Sequence, residues 1–285
     1  MSAPAGIPPF DFDVSRWPSL PPARGLFVTG TDTGVGKTLI AGAIARSLRR
    51  AGGPVEVFKP AATGCRLDGS RLISADAEFL ARCADSSRTP SEICPLRYRS
   101  AVAPNVAAET ERRPVDIHLI FEEYKRLVGR NGDSPHFQKT GNEYSARVVV
   151  EGIGGLLCPI SDDLWVIHLA KMMALPLVVV ARAGLGTINH TLLTLHAARS
   201  AGLAVAGVVV NRYVQDARPV QDDDADASIS TNARQIEARG RVKVLAVVPE
   251  DSESSVEEGR VGPAVQSAID QVDWVRVART DRGGT

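Results

Sequence analysis

Charge of one sign is what this chain lacks most plainly: 33 lysines and arginines stand against 33 aspartates and glutamates, and the formal net charge is zero. That balance leaves no electrostatic footprint for a nucleic acid or an anionic membrane. Cysteine is scarce. Cys65, Cys83, Cys94 and Cys158 never fall in Cys-x-x-Cys spacing, so they read as reduced intracellular thiols, not as a disulfide frame or a zinc site. Long apolar runs are missing too, and none reaches the length that spans a bilayer. Met1 to Pro22 has neither the apolar core of a secretory signal nor the arginine-rich, acid-poor pattern of a transit peptide. It reads as a flexible tail, lying on the surface or without order, and the expected compartment is the cytoplasm. No internal repeat is visible.

What the 285 residues do hold is room for one large α/β domain, placed at residues 23–280, with polar insertions near 129–146 and 215–228. The central stretch is Gly30-Thr31-Asp32-Thr33-Gly34-Val35-Gly36-Lys37-Thr38. An apolar strand, Gly25 to Thr29, precedes it, and a helical period from Leu39 to Leu48 follows. Strand, glycine-bearing loop, Gly-Lys-Thr and helix together form the context of a phosphate-binding loop. Glycines let backbone N–H groups turn inward as an anion nest, and the helix start adds a positive dipole end. In such a loop Lys37 bridges the β- and γ-phosphates and the Thr38 hydroxyl ligates Mg2+. The first glycine of the usual pattern is replaced by Thr31, so the loop is a variant.

Other strands and helices follow in alternation. Val55 to Phe58 is a short strand ending in Lys59-Pro60-Ala61-Ala62-Thr63-Gly64. Ligands of open parallel sheets sit beyond the carboxyl ends of strands, which puts Lys59 and Thr63 where phosphate chemistry belongs. A solvated loop lysine is the competing reading of Lys59. Ser74 opens a helix to Arg82 with Asp76 in its first turn, as a metal ligand or as a carboxylate favoured by the helix dipole. Ile93 to Ala108 is broken by prolines and reads as loop, and Val115 to Val128 reads as helix. Arg147 to Val150 is a strand ending on Glu151, an acid placed for Mg2+. Gly152-Ile153-Gly154-Gly155 then allow close backbone approach to a ligand. Leu177 to Ala181 is a buried strand. After it, Gly186-Thr187-Ile188-Asn189 opens a helix whose free N–H groups suit a carboxylate or phosphate, unless Thr187 is a plain cap. Ala204 to Val210 leads to Asn211-Arg212, where Asn211 is either a reader of an adenine edge or a turn residue. Val242 to Val248 is the last clear strand, followed by Pro249-Glu250-Asp251. The order predicts a P-loop-containing, mainly parallel, twisted sheet with helices on both faces.

Taken in order, these stretches resemble the dethiobiotin synthetases, ATP-dependent enzymes of biotin biosynthesis. The matching pieces are the Thr-Asp-Thr form of the phosphate loop, Lys59-Pro60-Ala61-Ala62-Thr63-Gly64, Ser74-Ala75-Asp76-Ala77, Val150 to Gly155, Leu185 to His190 and Val210-Asn211. The resemblance implies ATP and Mg2+ as cofactors, 7,8-diaminononanoate and CO2 or bicarbonate as substrates, and a homodimer. It implies Lys37 and Lys59 as catalytic cations, and Thr38, Asp76 and Glu151 as metal ligands. Thr33, Gly34, Val35 and Gly36, with Gly152, Ile153 and Gly154, would hold phosphates. Asn211 and Arg212, with Pro249, Glu250 and Asp251, would lie at the base. Thr33 and Thr63 would meet the diamine or its carbamate. The substrate's carboxylate would meet Gly186, Thr187, Ile188 and Asn189 of the partner subunit. Two other functions share the P-loop architecture: another amide- or ring-forming ligase, and a regulatory ATPase of the partitioning type.

Overall fold

The computed structural model describes residues 11–129, 146–213 and 229–279. The first half runs β1 (Arg24–Gly30), α1 (Lys37–Arg50), β2 (Val55–Phe58), the short β3 (Ala61–Ala62), a hairpin of β4 (Arg66–Asp68) and β5 (Arg71–Ile73), α2 (Ala75–Ala84), α3 (Pro90–Ile93), β6 (Leu96–Arg97), α4 (Pro104–Thr110) and α5 (Ile117–Gly129). The second half runs β7 (Arg147–Gly155), α6 (Val166–Met173), β8 (Leu177–Arg182), α7 (Thr187–Ser200), β9 (Val205–Tyr213), α8 (Ile229–Gly240), β10 (Val244–Pro249), α9 (Pro263–Asp270) and α10 (Trp274–Val277).

Six strands pair in the order β10-β9-β8-β1-β7-β2, all parallel. Buried on both faces, the central strands are near-continuous apolar runs, as parallel strands must be. Alternate side chains feed two cores. On one face Phe27, Val148, Val150 and Val179 pack with α5, α6, α7 and α8. On the other Leu26, Val28, Val149 and Val178 pack with α1, α2, α9 and α10. The register of β1 on β7 sets Val28 opposite Glu151. Glu151 therefore lies on the α1 side, two residues after Val149.

The expected strands and main helices are present, with differences at their ends. β7 does not stop at Glu151. It continues to Gly155, which pairs with Gly30. The stretch 93–108, expected as loop, contains α4, because Pro104 stands in the helix's first turn, where a missing N–H costs nothing. The two polar insertions lie almost wholly outside the described residues. The tail from Asp11 on lies against α6, with Phe12, Trp17 and Leu20 packed on the core of that face. Among the described residues no helix is long and apolar enough to cross a membrane.

α1 carries the phosphate loop at its start, so its seat on the sheet positions the site. Ile40, Ala41, Ile44, Ala45 and Leu48 make its buried stripe, and Gly42 faces α2. A Cβ at Gly42 would lie 2.2 Å from Phe79 Cε1 and 2.9 Å from Cys83 Sγ. Helix propensity alone favours Gly42→Ala by about 1 kcal/mol, while overpacking costs roughly 1–3 kcal/mol. The variant is expected to be less stable than the parent by about 1 kcal/mol in urea denaturation, the opposite sign to propensity. A gain in stability would show that α1 and α2 are not in close contact there.

Candidate active site

β1 delivers the chain to the phosphate loop, and the Thr31 N–H donates to Val180 O at 3.0 Å, tying the loop to β8. The loop closes on Gly36, whose φ of 90° is left-handed and whose added Cβ would sit 2.1 Å from Asn211 Nδ2. No side chain caps α1. Its first N–H groups and dipole are therefore free to meet an anion. Lys37 follows, 7% exposed, with Nζ donating to Asp32 O at 2.7 Å across the loop. Burial lowers its pKa from the ordinary 10.5, while the Glu151 carboxylate pulls the other way.

The second cation comes from the end of β2. Lys59 is 3% exposed, and its Nζ lies 2.7 Å from Glu151 Oε1 and 2.7 Å from Asp76 Oδ2. Glu151 is fully buried and also accepts from Thr38 Oγ1 at 2.7 Å. Asp76 is aimed by local structure: Ser74 Oγ accepts the Ala77 N–H at 3.2 Å and caps α2, leaving Asp76 in the first turn. Burial works against the Lys59 charge, but the two carboxylates outweigh it, and its pKa is raised. For Glu151 burial prevails and the pKa is raised, despite Lys59. Asp76 is desolvated too, yet Lys59 and Thr38 hold its pKa below the ordinary 3.8.

These groups face one cavity of about 470 Å³. Lys37, Thr38, Lys59, Thr63, Asp76 and Glu151 line one part, with Thr33, Gly34, Gly36, Ile153 and Gly154 along the loops, and Asn211, Arg212 and the turn Ser254–Glu257 beyond them. Val35 does not line it: its side chain packs in the α1-side core, and its carbonyl accepts from Asn211 Nδ2 at 2.9 Å. Asn211 Oδ1 is buried with no hydrogen-bond partner among the described residues. A second cavity of about 360 Å³ shares Thr33 and Gly154 with the first and is walled by Leu156, Leu157, Cys158, His190 and Leu193.

The donor set suits a hard divalent ion. Glu151 Oε2 is buried with no partner among the described residues, beside the Thr38 hydroxyl and the Asp76 carboxylate. Among the described residues no three histidine, cysteine, aspartate or glutamate side chains converge as a metal cage. Two carboxylates and a hydroxyl are what Mg2+ takes from a protein when phosphates and water complete its shell.

Some expected residues are not at the cavity. Gly152 lies inside β7, where an added Cβ would meet Phe27 and Val166 at 3.1 Å, so its smallness serves packing. Pro249, Glu250 and Asp251 do not line it. Asp251 Oδ2 instead accepts the Ala264 and Val265 N–H groups at the start of α9. The wall is supplied by the next turn, Ser254, Ser255, Val256 and Glu257, none of which the sequence singled out. The strand-end rule pointed to the loop after β10 but not to which of its residues turn inward. Gly186, Ile188 and Asn189 line neither of these two cavities, and Thr187 is fully buried, its hydroxyl unpaired among the described residues.

Removing one member of a buried pair leaves the other uncompensated, at roughly 3–5 kcal/mol. Lys59→Gln should therefore destabilise the fold by that order. Without Lys59 the raised pKa of Glu151 climbs further above the unfolded value of 4.5, so the folded variant takes up a proton as pH falls. The deficit should be largest at neutral and alkaline pH and shrink on acidification. Adding Glu151→Gln should recover most of it. Denaturation against pH tests this, and a pH-independent deficit contradicts it.

A family model described as an AAA domain matches residues 24–258. An ATP-dependent dethiobiotin synthetase of Anaeromyxobacter dehalogenans (strain 2CP-1) is 40% identical over 226 residues, covering 79% of this chain and 90% of the relative. Its namesake in Clostridium acetobutylicum is 32% identical over 242 residues, covering 82% and 91%. That of Bacillus subtilis (strain 168) is 33% identical over 226 residues, covering 79% and 87%. Among solved structures, the MinC:MinD cell division protein complex of Aquifex aeolicus aligns with TM-score 0.52 and 16% identity over 90% of this chain and 95% of that one, a likeness of fold alone. With the phosphate loop, the buried lysine and its two acids in place, the chain belongs to the ATP-dependent dethiobiotin synthetase family.

Proposed function

We propose that this chain makes dethiobiotin from 7,8-diaminononanoate, CO2 and ATP, releasing ADP and phosphate. The observation that carries the reading is the convergence of Lys37, Lys59, Thr38, Asp76 and Glu151 at the carboxyl ends of three adjacent parallel strands, next to a mainly apolar cavity.

One amine of the diamine adds to CO2 and loses a proton, giving a carbamate. A carbamate oxygen attacks the γ-phosphorus of ATP, the bond to the β,γ-bridging oxygen breaks, ADP departs and a carbamic-phosphoric anhydride remains. The second amine attacks the carbamate carbon, the bond to the phosphate oxygen breaks, and the ureido ring closes with loss of a proton. Triphosphate and carbamate are both anions, and bringing them together needs fixed positive charge. Lys37 swings from Asp32 O to the β- and γ-phosphates. Lys59, held by two carboxylates, keeps its charge at any physiological pH and meets the carbamate with Thr33 and Thr63. Mg2+ held by Thr38, Asp76 and Glu151 would neutralise phosphate charge. Asn211 Oδ1 accepts from the adenine amino group, while Arg212 and the turn through Glu257 enclose the nucleoside.

The diamine's chain lies in the cavity of Leu156, Leu157 and Leu193. Two copies of the chain then form a dimer through the start of α7, where Leu185 and Leu193 are 76% and 60% exposed. The turn of Gly186, Thr187, Ile188 and Asn189 at the start of that helix meets the substrate carboxylate in the other copy. A biosynthetic enzyme of this kind, with four free thiols among the described residues, belongs in the cytoplasm.

Phosphate release is expected only when ATP, bicarbonate and diamine are all present. Release that persists without the diamine would sink the assignment and favour a plain ATPase. Lys37→Gln should lower turnover by about a hundredfold or more, at unchanged folding stability. For Asn211→Ala, nucleotide titrations should show the KM for ATP raised by about tenfold, with the KM for diamine held. A change confined to the diamine would move the base elsewhere.

A further inference from the structure

The segment ahead of β1 lies outside the stretch that matches the family, which begins at residue 24. Its contacts are nevertheless specific, and its hydrogen bonds to the rest of the described chain fall on α6 and the loop before it. His168, 3% exposed, accepts the Trp165 N–H on Nδ1 at 2.9 Å. Its Nε2 is thereby the protonated nitrogen, and it meets Asp11 O at 2.8 Å. Trp17 lies against the same ring, with centroids 5.0 Å apart. Lys171, one turn on, donates to Phe12 O at 2.8 Å. Arg16 sits over the Trp17 ring at 4.3 Å and reaches Asp163, its Nη2 donating to Asp163 O at 3.0 Å.

The far side of this cluster is the wall of the second cavity. The Val166 N–H donates to Cys158 O at 3.1 Å and the Ile167 N–H to Leu156 O at 2.8 Å. Pro159 and Trp165 form an antiparallel β-bridge next to the Cys158–Val166 contact. The start of α6 thus holds the carbonyls of Leu156 and Cys158, which flank Leu157, and the N-terminal segment holds the start of α6 through His168. We propose that residues 11–20 are a positioning strap, which fixes the Leu156–Cys158 wall against the diamine through His168 and Asp163. The inference rests on the reading of that cavity as the diamine site. None of the strap residues touches the reacting atoms, so its effect belongs in substrate binding, not in phosphoryl transfer.

Trp17→Ala in the full-length protein is the direct test. The KM for diamine should rise by about tenfold, with kcat at saturating diamine and the KM for ATP within about twofold of the parent. Trp17→Phe, which keeps a ring on His168, should restore most of the loss. Arg16→Ala, at an exposed position, should shift the diamine KM in the same direction by a smaller factor and serves if Trp17→Ala folds poorly. An unchanged diamine KM in both alanine variants overturns the strap while leaving the enzyme assignment standing. So does an equal rise in the KM for ATP, or a failure of Trp17→Phe to rescue. Absence of diamine-dependent turnover in the parent protein overturns the assignment, and the strap's role with it.

Discussion

The buried ion cluster around Lys59 is the constraint from which the site takes its shape. An ammonium with almost no exposure is tolerable only because two carboxylates lie at 2.7 Å, and Glu151 is tolerable only because Lys59 and Thr38 reach it. The four groups come from β2, α2, β7 and α1. The elements are therefore coupled, because displacing any one of them leaves a buried charge without its partner. The acids do not cancel one another's role: Asp76 is drawn down by Lys59, while Glu151 is pushed up by its burial. A cation arriving at the unpaired Glu151 oxygen would relieve that cost.

The sheet supplies the rest of the geometry. Parallel strands end together, so β1, β2, β7, β8 and β9 present their following residues along one rim. The nest at the start of α1, the acid of β7 and the amide of Asn211 meet there without any loop having to travel far. Gly36 and Asn211 show how closely: their approach leaves no space for a methyl group, and the same amide holds the Val35 carbonyl. The loop that cradles phosphate and the residue proposed to read the base are thus one packed unit.

Much of this was legible in the sequence, for physical reasons. β1, β7 and β8 are runs of buried apolar residues next to glycine turns, and the phosphate loop has a fixed spacing. Lys59, Asp76 and Glu151 could be placed at strand ends or a helix start, but their mutual pairing joins positions up to 92 residues apart, which no local pattern encodes. α4 was hidden because a proline in a first turn looks like a breaker. Glu250 and Asp251 follow directly on β10. The capping needs of α9 then turned Asp251 away, and the wall passed to Ser254–Glu257. A lone histidine on an apolar helix gave no hint that His168 would be clamped between its own helix turn and a segment more than a hundred residues upstream.

The pairing of Val28 with Glu151 carries one more consequence. Side chains of a strand alternate, so the identity of the residue at that rung depends on counting from Arg147. Loss of one residue within Arg147–Val150 would turn the acid toward the α5–α6 core and bring Gly152 beside Lys59, and gain of one would bring Val150 there. Chain length in that short span is therefore as strictly fixed as any side chain at the centre.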